Sequence, residues 1–406
     1  MTESRTLCVN GQRYFHRFLT KTLTTPVDLL AWLNQQEGLP KCYWHGRDGR
    51  EVASVGSVLT LHAAPRFARD NDSPATFWGG HAFFPSSAPK DDVWRSFPRS
   101  SFFLPKYQLH RRGNTTLLII NAINAPLPEE CDVGNSYFSK SSLNLKDAAH
   151  LPSSENWEKL IEHSLEKIQS ESLEKVVMGR RSTHVTEETL NPLELLASIR
   201  EAQSIRFAFQ FSPSSTFIGA TPERLYKRVG RQIFTEAIAG TRPLGKTKEK
   251  ELLEDPKEQR EFQFVKTSIA EGLKPLCVSL SPSSETEILK TSTVQHLHCS
   301  FEGELLGNIQ DDEILSALHP SAAMGGLPKS SALEHLLDHE PFERGWYASP
   351  LGFISQKEAE FAVGIRSALV EKNRIHLFAA SGIVAGSTAD KEWEELQHKI
   401  ALWNKI

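Results

Sequence analysis

Two Glu-x-x-Glu pairs, Glu258/Glu261 and Glu392/Glu395, lie beside apolar stripes on segments that read as helices. Residues three apart share a helix face, because each residue advances the helix by about 100°. In PKEQREFQFVKTSIAEGL the acidic pair shares its arc with Phe262, Val265, Ile269 and Leu273. In DKEWEELQHKIALWNKI, Glu392, Glu395 and Lys399 border Trp393, Leu396, Ile400 and Trp403. Like charges at this spacing repel by roughly 0.2–0.5 kcal/mol even on an exposed helix. Toward a core the cost grows steeply unless a positive group neutralises them. Four convergent carboxylates suit a hard cation, above all Mg²⁺, which keeps waters and takes one or two carboxylates plus substrate oxygens. Solvated helix edges, with Lys257, Arg260 and Lys391 as neighbours, are the alternative reading.

The 406 residues carry a net charge of −4, with 39% hydrophobic and 24% charged side chains, as in ordinary soluble globular chains. Such a length admits several domains or one large two-layered unit. The near-neutral balance leaves no electrostatic footprint for nucleic acid or a membrane surface. The start, MTESRTLCVNGQRYFHRF, lacks the apolar run of a signal peptide. The longest apolar stretch, around Leu117–Ile120, is far too short to span a bilayer. Five scattered cysteines without a C-x-x-C argue for a reduced, cytoplasmic setting and no disulfide framework.

Residues 1–150 read as strand-rich, punctuated by Gly46, Gly49, Gly56, Gly79, Gly80 and Pro98. FWGGHAFF (77–84) and FFLPKYQL (102–109) are expected to be strands that bury aromatics. KDAAHLPSSENW (146–157) reads as a linker, with Ser154 and Glu155 opening a helix along Trp157, Leu160, Ile161, Leu165 and Ile168. The remaining part, 151–406, opens with that helix and continues with a strand at 174–182 and a helix opened by Asn191-Pro192. A meander over 205–212, 216–220, 224–228 and 232–238 precedes the Glu258/Glu261 helix. A strand through Val294–Leu297, short helices near 312–318 and 330–337, and a sheet from Trp346 to Val384 follow, with EKNR (371–374) as a hairpin turn. Hairpin-joined strands with long helices between them predict an α+β fold. Large antiparallel β-sheets are expected to pack as a sandwich with helices on the outside, both parts forming one compact unit. The regular βαβ alternation and Gly-rich first turn of a Rossmann fold are absent.

Several motifs could carry chemistry. In EKVVMGRR, Lys175 shares a strand face with Val177 and Gly179; desolvation there would make it a neutral base, unless it snorkels to water. GATPERL (219–225) holds Glu223 on a Pro-set turn, where burial would raise its pKa toward general-acid duty; a surface turn is the alternative. IAGTRPLG (238–245) reads as a turn able to cradle an anion, without the Gly-Lys-Ser/Thr of a phosphate loop. SALHPSAAMGGLP (316–328) offers one histidine, His319, beside two glycines. His296 and His298 share a strand face, but no second cluster completes a zinc site. In the strand FAVGIRSALV, Arg366 shares a face with Ala362, Gly364 and Ala368, leaving room for a substrate carboxylate; an internal salt bridge is the alternative. ASGIVAGS (380–387) adds a glycine-bearing turn before the last helix.

Taken in order, Lys175 in EKVVMGR, Glu223 in GATPE, Ala239 in IAGT, KEQRE, His319 in HPSAA, Arg366 in GIR, SGIV and EWEELQHK resemble the chorismate-utilising enzymes. That family comprises isochorismate synthases, salicylate synthases, and the component I chains of anthranilate and aminodeoxychorismate synthases. The likeness covers roughly 155–406. YWHGRDG, FWGGHAFF and FFLPKYQL extend it to the N-terminal third, where the chain is similar to menaquinone-pathway isochorismate synthases. Lysine at Lys175, where anthranilate synthases carry glutamine, and Ala239, where aminodeoxychorismate synthases carry lysine, imply water as the nucleophile.

The resemblance implies the following site. Mg²⁺ on chorismate's ring carboxylate is held by Glu261 and Glu395, with Glu258 and Glu392 reaching it through water. Lys175 deprotonates a water that attacks C2, and Glu223 protonates the departing C4 hydroxyl. Arg366, Lys399 and backbone near Gly240 and Gly382 anchor carboxylates, His319 orients ring substituents, and Ala239, Thr241 and Tyr347 complete the substrate site. HPSAAMGG and ASGIV depart from the family's commoner HPTPAVGG and GAGIV, which bears on pocket shape. Isochorismate formation without nucleic acid, membrane or obligatory protein partner is expected. The rivals are a salicylate synthase that goes on to eliminate pyruvate, a siderophore-pathway isochorismate synthase, and a silent chorismate-binding subunit of an amidotransferase complex.

Overall fold

The computed structural model describes residues 2–405 apart from 135–137, 139–142, 144, 146, 200, 202, 283–284 and 291–293. Among them, twenty-one strands join into one hydrogen-bonded network, and every pairing between strands is antiparallel. The network forks at the long pair Glu51–Leu61 and Ser100–Arg112, where the register shifts between Ser57 and Leu59. One arm runs from Glu51–Leu61 through Lys41–His45, Ile205–Ser212, Ser215–Thr221, Ser367–Glu371 and Arg374–Ile383 to Lys175–Val185. The other runs from Ser100–Arg112 through Thr76–His81, Pro350–Ser355, Glu358–Val363, Arg224–Val229 and Gln232–Pro243 to Val294–Leu305. Strands from before and after residue 150 therefore pair directly. The α+β expectation holds: large antiparallel sheets with helices packed against them.

Each arm carries one of the glutamate helices. Pro256–Leu273 packs on strand Gln232–Pro243, and Ala389–Ile400 packs on strand Arg374–Ile383. The first helix starts as Pro-at-N1 chemistry dictates: the Asp255 carboxylate accepts the Lys257 and Glu258 N–H groups at 2.8 and 3.4 Å. Phe262, Val265, Ile269 and Leu273 are buried in the core beneath it, each contributing about 1.5–3 kcal/mol. Phe77, Trp78, Phe102 and Phe103 are buried as the aromatic blocks predicted.

Four local expectations change. The meander is two hairpins that part company at Pro222–Glu223: Ser215–Thr221 pairs with Ser367–Glu371, whereas Arg224–Val229 pairs with Glu358–Val363. Pro222 lacks the N–H a ladder needs, and the chain crosses there from one arm to the other. Arg366 is not within a strand either. With φ 51 it sits in the return crossing between Glu358–Val363 and Ser367–Glu371. The crossings touch, through Val363 N–H to Glu223 O at 3.1 Å and Ala220 N–H to Arg366 O at 3.2 Å. The supposed turn at 238–245 is mostly strand, irregular between Ala239 and Arg242, with Gly240 at φ 68. In the linker, Lys146 lies outside the described residues and Ala148–Leu151 pairs with Lys175–Val185, while the helix opens at Ser154 as expected, capped by Ser153. Among the described residues no helix is long and apolar enough to cross a membrane.

Candidate active site

A cavity of about 850 Å³, mouth included, opens where the two crossings meet the glutamate helices. Glu223, Glu261 and Glu395 line it. Ala239, Gly240 and Thr241 contribute from one arm and Gly382 from the other, with Tyr347, Arg366 and Lys399 completing the wall. Lys175 stands just behind: a Cβ on Gly382 would lie 2.9 Å from Lys175 Cε and 2.8 Å from Glu261 Oε1. Gly240 is equally constrained, since a Cβ there would come 2.8 Å from Glu258 Oε2. Only glycine lets backbone approach these carboxylates so closely. Gly382→Ala is therefore expected to cut kcat/KM by about tenfold or more through displaced side chains, measured by steady-state kinetics beside an unchanged circular-dichroism spectrum.

Every glutamate of the two pairs has its own cationic partner. Glu261 Oε1 accepts from Lys175 Nζ at 2.7 Å, and Glu395 Oε1 from Lys399 Nζ at 2.6 Å. Glu392 accepts from Lys257 Nζ at 3.2 Å and from Ser381 Oγ at 2.5 Å. Glu258 is paired with Arg242 and accepts the Thr241 N–H at 3.3 Å. Glu258 and Glu392 are 6% and 2% exposed, which disposes of the solvated-edge reading for both. The four acids do not close into one tight cluster of donor atoms; each faces its own cation. Glu258 and Glu392 lie behind the wall that Glu261 and Glu395 help form. Burial and then repulsion from Glu261 push the Glu258 carboxyl up, against the pull of Arg242. Burial also opposes ionisation of Glu395, but Lys399 and Lys257 outweigh it and hold that carboxyl below the usual range.

A second pair of carboxylates is split apart. Burial, and then the charge of Glu236, raise Glu223 to about 8, against weaker pulls from Arg47, Lys399 and Lys175. Glu236 is buried too, yet hydrogen bonds from His298 and from Arg47 at 2.7 and 2.9 Å, with the Arg224 N–H at 2.6 Å, hold it at about 2. One acid is thus protonated at neutral pH and its neighbour ionised. Burial drives His296 down to about 3, so its ring is neutral. Its Nδ1–H donates to Gly240 O at 2.9 Å, leaving Nε2 toward Arg366 Nη2 at 3.5 Å. Arg366 also donates to Lys399 O at 3.0 Å, fixing the guanidinium at the cavity edge.

A sequence profile described as "Chorismate binding enzyme" matches residues 67–405. The chain belongs to the chorismate-binding enzyme family. It is 31% identical to isochorismate synthase MenF of Haemophilus influenzae, over 92% of this chain and 88% of that one. MenF of Escherichia coli K12 is equally similar at 31%, over 92% and 89%. The solved structure of MenF, the menaquinone-specific isochorismate synthase from Escherichia coli, superposes with a TM-score of 0.84 at 26% identity, covering 99% of this chain and 96% of that one. Anthranilate synthase component I from Streptococcus pneumoniae shares the fold at TM-score 0.66 and 17% identity, over 87% and 92%.

Within this chorismate-binding enzyme, His319 is the expected site residue that stands apart. It is buried outside the cavity wall, its ring edge-on to His81 and Phe83, with neither ring nitrogen hydrogen-bonded. Ala323 and Met324, a few residues on, do line the cavity. Sequence reasoning missed Glu236 and Arg47, which set the protonation of Glu223, and took His296 only as a zinc ligand to be dismissed. A carboxylate inside the apolar strand run Ile233–Ile238 was the signal for Glu236. It also missed Arg344, which lines the cavity while its Nε donates to Glu340 at 2.6 Å.

Proposed function

We propose that the protein is an isochorismate synthase: it converts chorismate to isochorismate for menaquinone biosynthesis, with Mg²⁺ as cofactor. It acts in the cytoplasm without an obligatory protein partner; no disulfide links its five cysteines. One observation supports the chemistry most: a glutamic acid held protonated to about pH 8 shares a cavity wall with a carboxylate paired to a buried lysine.

The all-oxygen donors fit a hard cation. Glu261 and Glu395 at the wall would hold it, with Glu258 and Glu392 behind them. Burial and then repulsion from Glu261 lift the Glu258 carboxyl, so a cation there relieves part of an existing strain. When bound, Mg²⁺ neutralises the substrate's ring carboxylate. Arg366 and Lys399 present cationic groups for the substrate's carboxylates, and neutral His296 keeps Arg366 oriented. Ala239 adds no amine to compete with water. A water at C2 gives its proton to Lys175 Nζ as its oxygen bonds to the ring. The ring double bonds shift, the C4–O bond breaks, and the hydroxyl leaves as water with the proton of Glu223.

Incubating purified protein with chorismate and Mg²⁺, followed by chromatography, should give isochorismate as the sole product. Chelator should stop turnover, and added Mg²⁺ should restore it. Salicylate with pyruvate would identify a salicylate synthase instead. Absence of turnover in folded protein would mean a silent binding subunit, and full activity in chelator would remove the cation.

A further inference from the structure

Away from the cavity, His163, His335 and His339 bring three imidazoles together, with one ring nitrogen from each lying within 4.8 Å of the others. His335 and His339 are four apart on helix Lys329–His339 and share its face; His163 comes from helix Ser154–Gln169. The rings are close, with centroids 4.4 Å apart for His335 and His339, 4.6 Å for His163 and His339, and 5.4 Å for His163 and His335. None of the three lines the cavity.

Hydrogen bonds commit one nitrogen of His335 and one of His339 and leave the other's lone pair available. Ser164 Oγ gives its proton to Leu160 O at 2.8 Å, so it accepts from His335 Nε2–H at 3.0 Å, and Nδ1 of His335 is the base. His339 Nδ1–H donates to His335 O at 2.9 Å, leaving its Nε2. His163 Nδ1 faces Glu166 Oε2 at 3.5 Å, again leaving Nε2. Partners that fix tautomer and ring orientation in this way are what histidine metal ligands require.

We infer that His163, His335 and His339 form a binding site for a borderline divalent transition metal such as zinc, distinct from the glutamate centre. Three imidazole ligands match zinc and its neighbours, not the oxygen-seeking Mg²⁺. At zinc–nitrogen distances of about 2.0–2.1 Å the ligand atoms stand roughly 3.4 Å apart, so the stacked rings turn about their side-chain bonds to bring the three nitrogens from their present spacing of up to 4.8 Å to that one. Water completes a tetrahedron. The ion would tie two supports of the active site together. Helix Lys329–His339 packs on the strand that bears Lys175. Helix Ser154–Gln169 packs on the C-terminal glutamate helix, where Trp157 Nε1 donates to Ala389 O at 3.1 Å.

The test is a titration of the chelator-stripped full chain with Co²⁺ in saturating Mg²⁺, read by the visible d–d bands of tetrahedral nitrogen coordination. One equivalent should bind, and Zn²⁺ should displace it. His163→Gln and His339→Gln, at partly exposed positions, should each weaken binding by about tenfold or more, whereas Glu261→Gln should bind Co²⁺ like the parent. No tetrahedral spectrum, or parental affinity in both histidine variants, would overturn the site. Neither result bears on isochorismate formation, which is assayed separately.

Discussion

Alanine at Lys175 is expected to lower kcat for isochorismate formation by about 10²–10⁴-fold, the usual loss on removing a positioned acid or base, in a protein that stays folded. Lys175 is fully buried, and its amine reaches Glu261 at 2.7 Å. Truncation removes the proton acceptor and leaves Glu261 without its cation. Glu261 keeps 18% of its side chain exposed, on the cavity side, so water or a divalent ion can compensate the carboxylate. Loss of activity should therefore exceed loss of stability. Lys175→Arg separates the two roles. Arginine retains the charge beside Glu261 but stays protonated at any working pH, so it should restore thermal stability without restoring turnover. Steady-state kinetics and thermal melts on both variants decide the matter. Substantial turnover with arginine would remove Lys175 as the base, because that side chain cannot take a proton from water.

The elements were legible where the information is local. Period and cap chemistry marked the helices: Asn191 before Pro192 and the apolar arc from Phe262 to Leu273 both sit where their side chains dictate. Hairpins were legible from turn residues, as at EKNR between Ser367–Glu371 and Arg374–Ile383. Strand partners were not. Pro222 announced a break, but nothing near it in sequence says that Ser215–Thr221 and Arg224–Val229 join different arms. The same holds for charge. The helix faces required compensation for four glutamates, yet the cations that provide it, Lys175 for Glu261 and Lys257 for Glu392, come from 86 and 135 residues away. Arg47 meets Glu236 across 189 residues. Such pairings are set by topology, which a local pattern does not encode. The Lys175–Glu261 contact adds something the motif order alone leaves out: the proposed base and a carboxylate proposed to hold the cation are each other's partners, so occupying one alters the other.

Glu223→Gln tests the opposite end of the reaction and should cost kcat a comparable factor, about 10²–10⁴-fold. Glutamine keeps the size and polarity of the side chain and removes the transferable proton. The pH dependence identifies the role more sharply than the rate. A general acid must be protonated, and Glu223 holds its proton to about pH 8. Parental kcat should therefore fall as pH rises through about 8, and the residual activity of the glutamine variant should lack that limb. Stability carries the same signature. The ordinary glutamate value is 4.5 and the folded value about 8, so the native chain binds the extra proton between them. Folding stability then declines as pH rises through that window, and Glu223→Gln should flatten the decline in a denaturant titration. Glu236→Gln supplies the control. It removes the negative charge that raises Glu223 and leaves Arg47, whose charge lowers it, so the alkaline limb should move to lower pH while the acid itself remains. A limb that persists unmoved in Glu223→Gln would belong to another group, and Glu223 would no longer be the proton donor.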